Sequence, residues 1–243
     1  MKYAAKTDIG RRAQNEDAFL IPDSAEALPL FAVSDGMGGA LAGEVASRMV
    51  TEGLKEEFST NGKLVSERTL RGAIRGINIS VYRLAQADVT KHGMGATLVC
   101  AYIGPEKVLA ANVGDSRLYR ICGGEIRQIT KDQSYVQRLI DIGAITPEEA
   151  KTHSKRGQIL QAVGAEIGIR PDFYTFERVP GDRLLLCSDG LSGALSDGEL
   201  LAVCNACPDP ADCADALIRA ALAAHASDNI TALVIDLEEE VRP

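Results

Sequence analysis

The sequence has no long apolar run. Apolar stretches such as residues 183–187 and 217–224 are far shorter than the roughly 20 residues that a membrane-spanning helix needs. The opening residues, MKYAAKTDIGRR, also lack the apolar region of a signal peptide. These absences predict a cytoplasmic protein with no membrane span.

The chain also lacks an excess of positive charge. Lys and Arg number 26 against 34 Asp and Glu, the formal net charge is −8, and no basic run interrupts the acidic balance. Binding to nucleic acid depends on clustered cations that neutralise phosphates. We therefore expect no nucleic acid partner.

Cysteine is sparse, and the six residues are scattered without the dense framework of a small secreted domain. They stand at positions 100, 122, 187, 204, 207 and 213. Cys204 and Cys207 form a CxxC pair, but neither a second pair nor a nearby pair of histidines completes a zinc set. We expect free thiols and interpret the CxxC pair as part of the packing.

No linker rich in Pro, Gly or Ser, no low-complexity segment and no internal repeat divides the chain. Hydrophobic residues make up 46% and charged residues 25% of the sequence, as in ordinary folded proteins. We therefore predict a single domain over residues 1–243.

Short aliphatic or β-branched runs bounded by Gly, Asp or Pro predict strands. They are residues 28–34, 97–103, 107–113, 117–121, 183–187 and 230–237. Gly123-Gly124 predicts a tight hairpin turn into a further strand over 125–129, because glycine tolerates the positive φ angles of such turns.

Two amphipathic stretches, about 43–58 and 66–88, predict helices between the strands near residues 30 and 100. A hydroxyl residue followed three positions later by Glu marks further helix starts at Thr146 and Ser196, and Asp209-Pro210 marks another. Because the helices come in blocks rather than alternating with strands, the order predicts an α+β fold with mostly antiparallel sheets.

Five aspartates share a position at a strand end beside Gly, Ser or Asn: Asp17, Asp35, Asp115, Asp189 and Asp228. Any one alone is typical of a turn, because Asp bonds to its own downstream backbone. If they converge, their mutual repulsion favours a cation site. Oxygen ligands without His or Cys are typical of Mg²⁺ or Mn²⁺ rather than zinc or copper. The residues alone leave both interpretations open.

Motifs of other phosphate chemistry are missing. The sequence contains neither GxSxG nor a Cys-x5-Arg loop, and the glycine-rich segment Asp35-Gly-Met-Gly-Gly39 lacks the Gly-Lys-Ser/Thr of a P-loop. The three histidines, at positions 92, 153 and 225, lie outside every aspartate motif. We expect these histidines on the surface or in packing.

Short motifs follow one another across essentially the whole chain. They are TDIGRRAQNED (7–17), DGMGG (35–39), GEVAS (43–47), GMGAT (93–97), NVGDSR (112–117), GAIT (143–146), SDGL (188–191) and DNIT (228–231). Each motif is weak by itself, but the ordered set is specific. In this order, the chain resembles the bacterial PPM (PP2C-like) serine/threonine phosphatases.

The resemblance implies a four-layer α/β/β/α sandwich with two mostly antiparallel sheets packed face to face. It also implies a two-metal centre at one edge of the sandwich, where Asp35 bridges both ions and the Gly36 carbonyl binds one. Asp189 and Asp228 would hold the other ion. The catalytic role of these three aspartates would be to hold Mn²⁺ or Mg²⁺ ions that generate hydroxide from water.

Further site residues follow from the same resemblance. Asp17, with Glu16 beside it, matches the acidic pair that binds the second ion directly or through water. Asp115 matches a residue associated with a third, weaker metal site. Arg12 matches the phosphate-binding arginine, whose planar guanidinium can hold two phosphate oxygens at once; the alternative is a solvated surface arginine.

The sequence departs from the family pattern at Met37, Ala96, Gln133 and Gly157. Met37 stands where some members carry a histidine thought to protonate the leaving group, which favours a metal-bound water as the proton donor. Gln133 and Gly157 lie around the segment 133–164 that matches the family's mobile flap. These departures bear on substrate handling rather than on metal binding.

The resemblance implies an enzyme that acts on phosphorylated proteins, with a partner Ser/Thr kinase and its substrates as natural counterparts. We expect a monomer. Two alternatives remain: a catalytically silent phosphatase-fold module, and a phosphoesterase for a small-molecule phosphate.

Overall fold

A computed structural model describes residues 1–24, 27–38, 42–59 and 64–238. Gly39, the last glycine of the DGMGG motif, and residues 239–243 of the predicted domain lie outside the described residues. The strands are β1 Lys2–Asp8, β2 Asp17–Leu20, β3 Leu30–Met37, β4 Gly95–Ala96, β5 Leu98–Ile103, β6 Lys107–Val113, β7 Arg117–Cys122, β8 Glu125–Gln128, β9 Asp172–Glu177, β10 Arg183–Cys187 and β11 Ile230–Asp236. The helices are α1 Ala42–Ser59, α2 Glu67–Ala87, α3 Tyr135–Asp141, α4 Pro147–Thr152, α5 Asp189–Ser192, α6 Asp197–Ala206 and α7 Pro210–Ala223, with a 3₁₀ turn at Val89–Lys91.

The strands form two sheets. One has the order β1-β11-β10-β7-β8, and the other has the order β2-β3-β5-β6-β9 with β4 paired to β3. Every strand pairing within the described residues is antiparallel. The predicted antiparallel α+β architecture is therefore confirmed.

Alternating side chains of the central strands bury both faces of each sheet. In β3, Phe31 and Val33 face an apolar layer that also contains Leu184 and Leu186 of β10, so this layer lies between the sheets. Since successive side chains of a strand point to opposite faces, Ala32 faces away from this layer. Strands buried on both faces explain the continuous apolar runs in the sequence.

Helices cover the two outer faces. Helices α1 and α2 pack on one sheet through Leu54 and Ile74. Helices α6 and α7 pack on the other sheet through Leu200 and Leu217. The order helices, sheet, sheet, helices is the four-layer sandwich that the resemblance implied.

The helix starts follow the local capping signals. The Ser66, Thr146 and Ser196 side chains each accept a hydrogen bond from the backbone amide three residues on, and each cap is completed by a return bond. These reciprocal bonds satisfy amides that a helix leaves free at its N-terminus. The two helices predicted from the long amphipathic stretches agree with α1 and α2 to within one residue at each end.

The elements that the sequence analysis missed are mainly edge strands and short helices. Strands β1, β2 and β9 lie at sheet edges, and each is at least partly exposed along its length. Edge strands need no apolar run, because only one side is fully covered. Helix α3 has no buried residue, so it lacks the amphipathic pattern that revealed α1 and α2.

The cysteines remain thiols, as expected from their scatter. Cys204 of α6 and Cys213 of α7 are buried against each other with 3.7 Å between their sulfur atoms. This contact belongs to the packing between the helices and the sheet. Within the described residues, no helix is long and apolar enough to cross a membrane.

Candidate active site

The strand register brings the ends of several strands to one edge of the sandwich. Cys187, the last residue of β10, pairs with Arg117, the first residue of β7, and with Ala232 near the start of β11. Asp189 follows β10, whereas Asp228 precedes β11. The antiparallel order thus turns positions that are distant in the chain into neighbours.

Asp17 and Asp35 meet from the second sheet, where they are direct cross-strand partners on β2 and β3. Burial raises the pKa of Asp35 well above its usual value, and the charges of Asp17, Asp189, Asp115 and Asp228 raise it further. The structure therefore brings all five predicted aspartates close enough to influence one another.

Asp17 is held by two hydroxyl groups. Ser188 Oγ and Thr231 Oγ1 donate to Asp17 Oδ2 at 2.7 and 2.6 Å. Burial raises the pKa of Asp17 to about 7, these hydrogen bonds oppose the rise, and the charge of Asp189 adds to it. Neither hydroxyl residue was predicted as part of the site, although both belong to the SDGL and DNIT motifs.

The backbone on either side of Asp35 is fixed by Thr97. The Asp35 amide donates to Thr97 Oγ1 at 2.9 Å, and the Thr97 amide donates to the Asp35 carbonyl at 2.8 Å. Ser34 Oγ donates to the Thr97 carbonyl at 2.7 Å, and Ser116 Oγ lies 2.7 Å from Thr97 Oγ1. A hydroxyl at position 97 therefore braces two of the acidic motifs.

Asp189 and Asp228 complete the cluster from the other sheet. Burial raises the pKa of Asp189, and the charge of Asp228 raises it further, whereas a hydrogen bond with Asp35 acts in the opposite direction. Asp228 Oδ1 accepts a hydrogen bond from the Asn229 amide at 2.9 Å. Crowding of this kind is costly unless positive charge lies nearby.

Asp115 occupies the tight turn between β6 and β7 and is buried. Burial raises its pKa to about 8, and the charge of Asp189 contributes in the same direction. The preceding Gly114 has φ +98°, and a Cβ there would lie 2.7 Å from Thr97 Cγ2. Only glycine suits this turn, both for its φ angle and for its space.

Gln133 braces the Asp115 turn. Gln133 Oε1 accepts from the Gly114 amide at 3.0 Å, and the Gln133 amide donates to the Gly114 carbonyl at 2.8 Å. At the other end of the side chain, Nε2 donates to Asp172 Oδ2 at 2.8 Å. Gln133, one of the departures from the family pattern, thus joins the turn to β9 and to the start of the 133–164 segment.

Arg12 and Glu16 lie on the segment between β1 and β2. Arg12 Nη2 donates to Asp228 Oδ2 at 2.7 Å, although 57% of the Arg12 side chain is exposed. That bond, followed by the Asp228 charge, raises the pKa of Arg12. Burial raises the pKa of Glu16, while the positive charge of Arg12 lowers it.

The backbone at Gly36 lies very close to its neighbours. A Cβ at Gly36 would lie 2.1 Å from the Gly43 carbonyl oxygen and 2.6 Å from the Glu16 carbonyl oxygen. A Cβ at Gly43 would lie 2.6 Å from the Glu16 carboxyl carbon. These approaches hold the start of α1 against β3 and the acidic segment.

The cluster contains unpaired oxygen atoms. Among the described residues, Asp17 Oδ1 and Asp189 Oδ1 are buried and have no hydrogen-bond partner. A buried carboxylate oxygen without a partner is unfavourable, and an all-oxygen donor set suits Mg²⁺ or Mn²⁺. As the side chains stand, no group of three or more His, Cys, Asp or Glu residues in the described ranges is arranged to hold a metal ion. The donor type and the unpaired oxygens fit divalent cations, provided that cation contacts replace the Asp35–Asp189 hydrogen bond.

Comparison with known proteins agrees with this architecture. The sequence profile of the protein phosphatase 2C family matches residues 6–230. The chain is 39% identical over 241 residues to the serine/threonine protein phosphatase PstP of Mycobacterium tuberculosis, a match covering 98% of this chain and 45% of PstP. It is 34% identical to the serine/threonine phosphatase Stp of Listeria monocytogenes, covering 95% of this chain and 94% of that protein.

A solved structure gives the same picture. The catalytic domain of PstP in complex with two manganese ions superimposes with a TM-score of 0.87 at 37% identity, covering 98% of both chains. The chain belongs to the protein phosphatase 2C family, which confirms the resemblance drawn from its motifs. It spans less than half the length of the mycobacterial relative but nearly all of the Listeria one.

Proposed function

We propose that this protein is a Mn²⁺- or Mg²⁺-dependent phosphatase that hydrolyses phosphoserine and phosphothreonine in proteins. The observation that carries the proposal is the convergence of Asp17, Asp35, Asp189 and Asp228, with buried carboxylate oxygens that lack partners in the described residues. Such a cluster is unfavourable unless cations neutralise it.

The residues of the cluster would have distinct roles. Asp35 and the Gly36 carbonyl would hold one cation, Asp35 would bridge to a second, and Asp189 and Asp228 would complete the second position. Asp17 would support the pair, and its hydrogen bonds from Ser188 and Thr231 orient one carboxylate oxygen and leave the other free. Asp115 is our candidate for a third, weaker ion.

When bound, divalent cations would neutralise charge on the phosphoryl group and lower the pKa of a water molecule. The protein's own contribution is orientation. Arg12 is suited to hold the phosphate, because its guanidinium lies beside the cluster and its only partner among the described residues is a half-exposed ion pair with Asp228. Exposed ion pairs contribute about 0–1 kcal/mol, so exchanging Asp228 for a phosphate oxygen costs little.

The names of the relatives support a protein substrate. PstP and Stp are serine/threonine phosphatases. We infer that the natural counterpart of this chain is a Ser/Thr kinase whose phosphorylated products it hydrolyses, and that it acts as a monomer.

The test is hydrolysis of a phosphothreonine peptide with Mn²⁺ and with EDTA, alongside p-nitrophenyl phosphate and nucleotides. We expect Mn²⁺-dependent turnover of the peptide that Asp35→Asn or Asp189→Asn abolishes. Preference for nucleotides would favour a small-molecule phosphoesterase, and inactivity on all substrates would favour a silent module. Undiminished turnover by either variant would contradict the two-cation proposal.

A further inference from the structure

Asn229 is a buried residue whose side chain grips the backbone of the 9–16 segment. It is 4% exposed. Its Nδ2 group donates to the carbonyls of Ile9 and Gln14 at 2.9 and 2.8 Å, and its Oδ1 accepts from the Glu16 amide at 2.8 Å. An asparagine side chain offers two N–H donors and one carbonyl acceptor, so each of its polar groups is used.

The gripped segment has no regular structure of its own. It lies between the end of β1 at Asp8 and the start of β2 at Asp17. Its own backbone contributes one turn, in which the Arg12 amide donates to the Ile9 carbonyl at 3.2 Å. Bonds from Asn229 to both ends of this segment therefore fix where Arg12 lies between them.

The 9–16 segment, the loop of Asp228 and the start of helix α5 lie close together around Asn229. A Cβ at Gly10, where φ is +59°, would lie 2.1 Å from the Asp228 carbonyl oxygen. A Cβ at Gly190 would lie 1.9 Å from the Asn229 carbonyl oxygen. Two loops and the start of helix α5, each bearing a residue of the proposed site, thus meet at this asparagine.

The hydrogen bonding continues beyond the segment. The Glu16 amide is bonded to Asn229, and the Glu16 carbonyl accepts from the Gly36 amide at 3.0 Å. This line of bonds joins the loop of Asp228 to the acidic strand end of β3. One side chain is therefore connected both to the arginine side and to the carboxylate side of the site.

We propose that Asn229 is a positioning residue that sets the distance between Arg12 and the aspartate cluster. The inference rests on the proposed function, since it takes Arg12 as the phosphate-holding group. Without the Asn229 side chain, the Ile9 and Gln14 carbonyls lose their hydrogen bonds from Asn229 Nδ2, and Arg12 is no longer held beside the cluster. The affinity for phosphate should then fall even under conditions in which the variant is fully folded.

Asn78 offers a matched control elsewhere in the fold. It is 1% exposed, its Nδ2 donates to the carbonyls of Glu166 and Ile167 at 2.9 and 3.1 Å, and its Oδ1 accepts from the Gly164 amide at 2.7 Å. The chemistry is the same, but the loop that it holds carries none of the proposed site residues. Asn78→Ala therefore measures the structural cost of losing such a grip.

The experiment compares wild type, Asn229→Ala and Asn78→Ala at saturating Mn²⁺, well below the Tm of each protein. The readouts are Tm, KM and kcat for a phosphothreonine peptide, and product inhibition by inorganic phosphate. We expect both alanine variants to lower Tm. Only Asn229→Ala should raise KM and the phosphate inhibition constant, by roughly tenfold to a hundredfold, the range typical of a lost charge-assisted hydrogen bond.

A second variant keeps the test decisive if Asn229→Ala does not fold. Asn229→Asp preserves the shape and the acceptor for the Glu16 amide, but it removes both donors. We expect weaker inhibition by phosphate in this variant, whereas the Mn²⁺ concentration that gives half-maximal turnover should not rise.

The possible outcomes separate the two proposals. If the wild type is active and the folded Asn229 variants keep its KM and its phosphate inhibition constant, the positioning role alone is overturned. An equal rise of KM and of the phosphate inhibition constant in Asn78→Ala and Asn229→Ala would also overturn the positioning role. A wild type without Mn²⁺-dependent phosphopeptide turnover would overturn both proposals.

Discussion

Asp17 and Asp35 lie directly opposite each other on the antiparallel strands β2 and β3. Like charges in this position destabilise a sheet, and the charge of Asp189 adds to the crowding, since it raises the pKa of Asp35 further. The strands nonetheless pair here because Thr97 fixes the backbone of Asp35. The hydroxyls of Ser188 and Thr231 fix the Asp17 carboxylate. The cluster therefore opposes folding locally while the apolar layers favour it.

This relationship predicts that Asp35→Asn stabilises the metal-free protein. The substitution removes a carboxyl group from the crowded cluster, and we expect a gain of about 1 kcal/mol or more in the free energy of unfolding. For a chain of this size, each kcal/mol corresponds to about 2–4 °C in Tm. Thermal unfolding in EDTA measures the effect. Asp141→Asn, which removes an exposed carboxylate paired with Lys131, is the control and should not raise Tm.

Arg12→Ala should raise KM for a phosphothreonine peptide roughly tenfold with a smaller effect on kcat, because the proposed role of Arg12 is to hold phosphate. Arg11→Ala is the matched control, since Arg11 is adjacent in the chain but its Nη2 lies 2.9 Å from His225 Nδ1 rather than beside Asp228. Steady-state kinetics of both variants give the comparison. A KM that does not change in Arg12→Ala, or rises equally in Arg11→Ala, would remove Arg12 from the site.

Gln133→Ala should shift the Mn²⁺ dependence of turnover to higher concentration, because Gln133 holds the turn that carries Asp115. A buried donor or acceptor left without its partner typically costs about 1–3 kcal/mol of free energy, so the turn should hold Asp115 less firmly. Titration of activity with Mn²⁺ measures the shift. Gln137→Ala, whose side chain bonds only Asp141 among the described residues, should leave the titration unchanged. Identical titrations for all three proteins would contradict the role of Gln133.

Gly190→Ala should lower the free energy of unfolding by about 1–3 kcal/mol, because the new Cβ would lie 1.9 Å from the Asn229 carbonyl oxygen. Gly72→Ala in α2 should raise the free energy by about 0.5–1 kcal/mol, since its Cβ would meet no described atom within 4 Å. Urea unfolding of the two variants tests both signs. An unchanged free energy of unfolding for Gly190→Ala would show that helix α5 and the Asn229 loop can move apart.

Much of the architecture could be read from local patterns. The apolar run 183–187 predicted β10, and Gly123-Gly124 predicted the hairpin between β7 and β8. These elements could be predicted because a buried strand requires apolar residues and a tight turn requires residues that adopt positive φ angles. Strand β9, at a sheet edge and partly exposed, places weaker demands and was missed.

The candidate site was accessible in part for a different reason. Position at a strand end selected Asp17, Asp35, Asp115, Asp189 and Asp228 as candidates. The motifs in order identified the family, and through it the proposed roles of these aspartates and of Arg12. The residues that support them were not accessible. Thr231 donates to a carboxylate 214 positions away, and Asn229 holds an amide 213 positions away.

The sequence by itself determined the family, the buried strands, the long helices and the list of aspartates, because each leaves a local signal in residue type and spacing. Only the tertiary structure decided that Asp17 lies opposite Asp35 on the neighbouring strand and that Asn229 joins the 9–16 segment to the Asp228 loop and helix α5. Such contacts depend on strand register and on the direction of each side chain, and these are set when the sheets pack against each other rather than by neighbours in the chain.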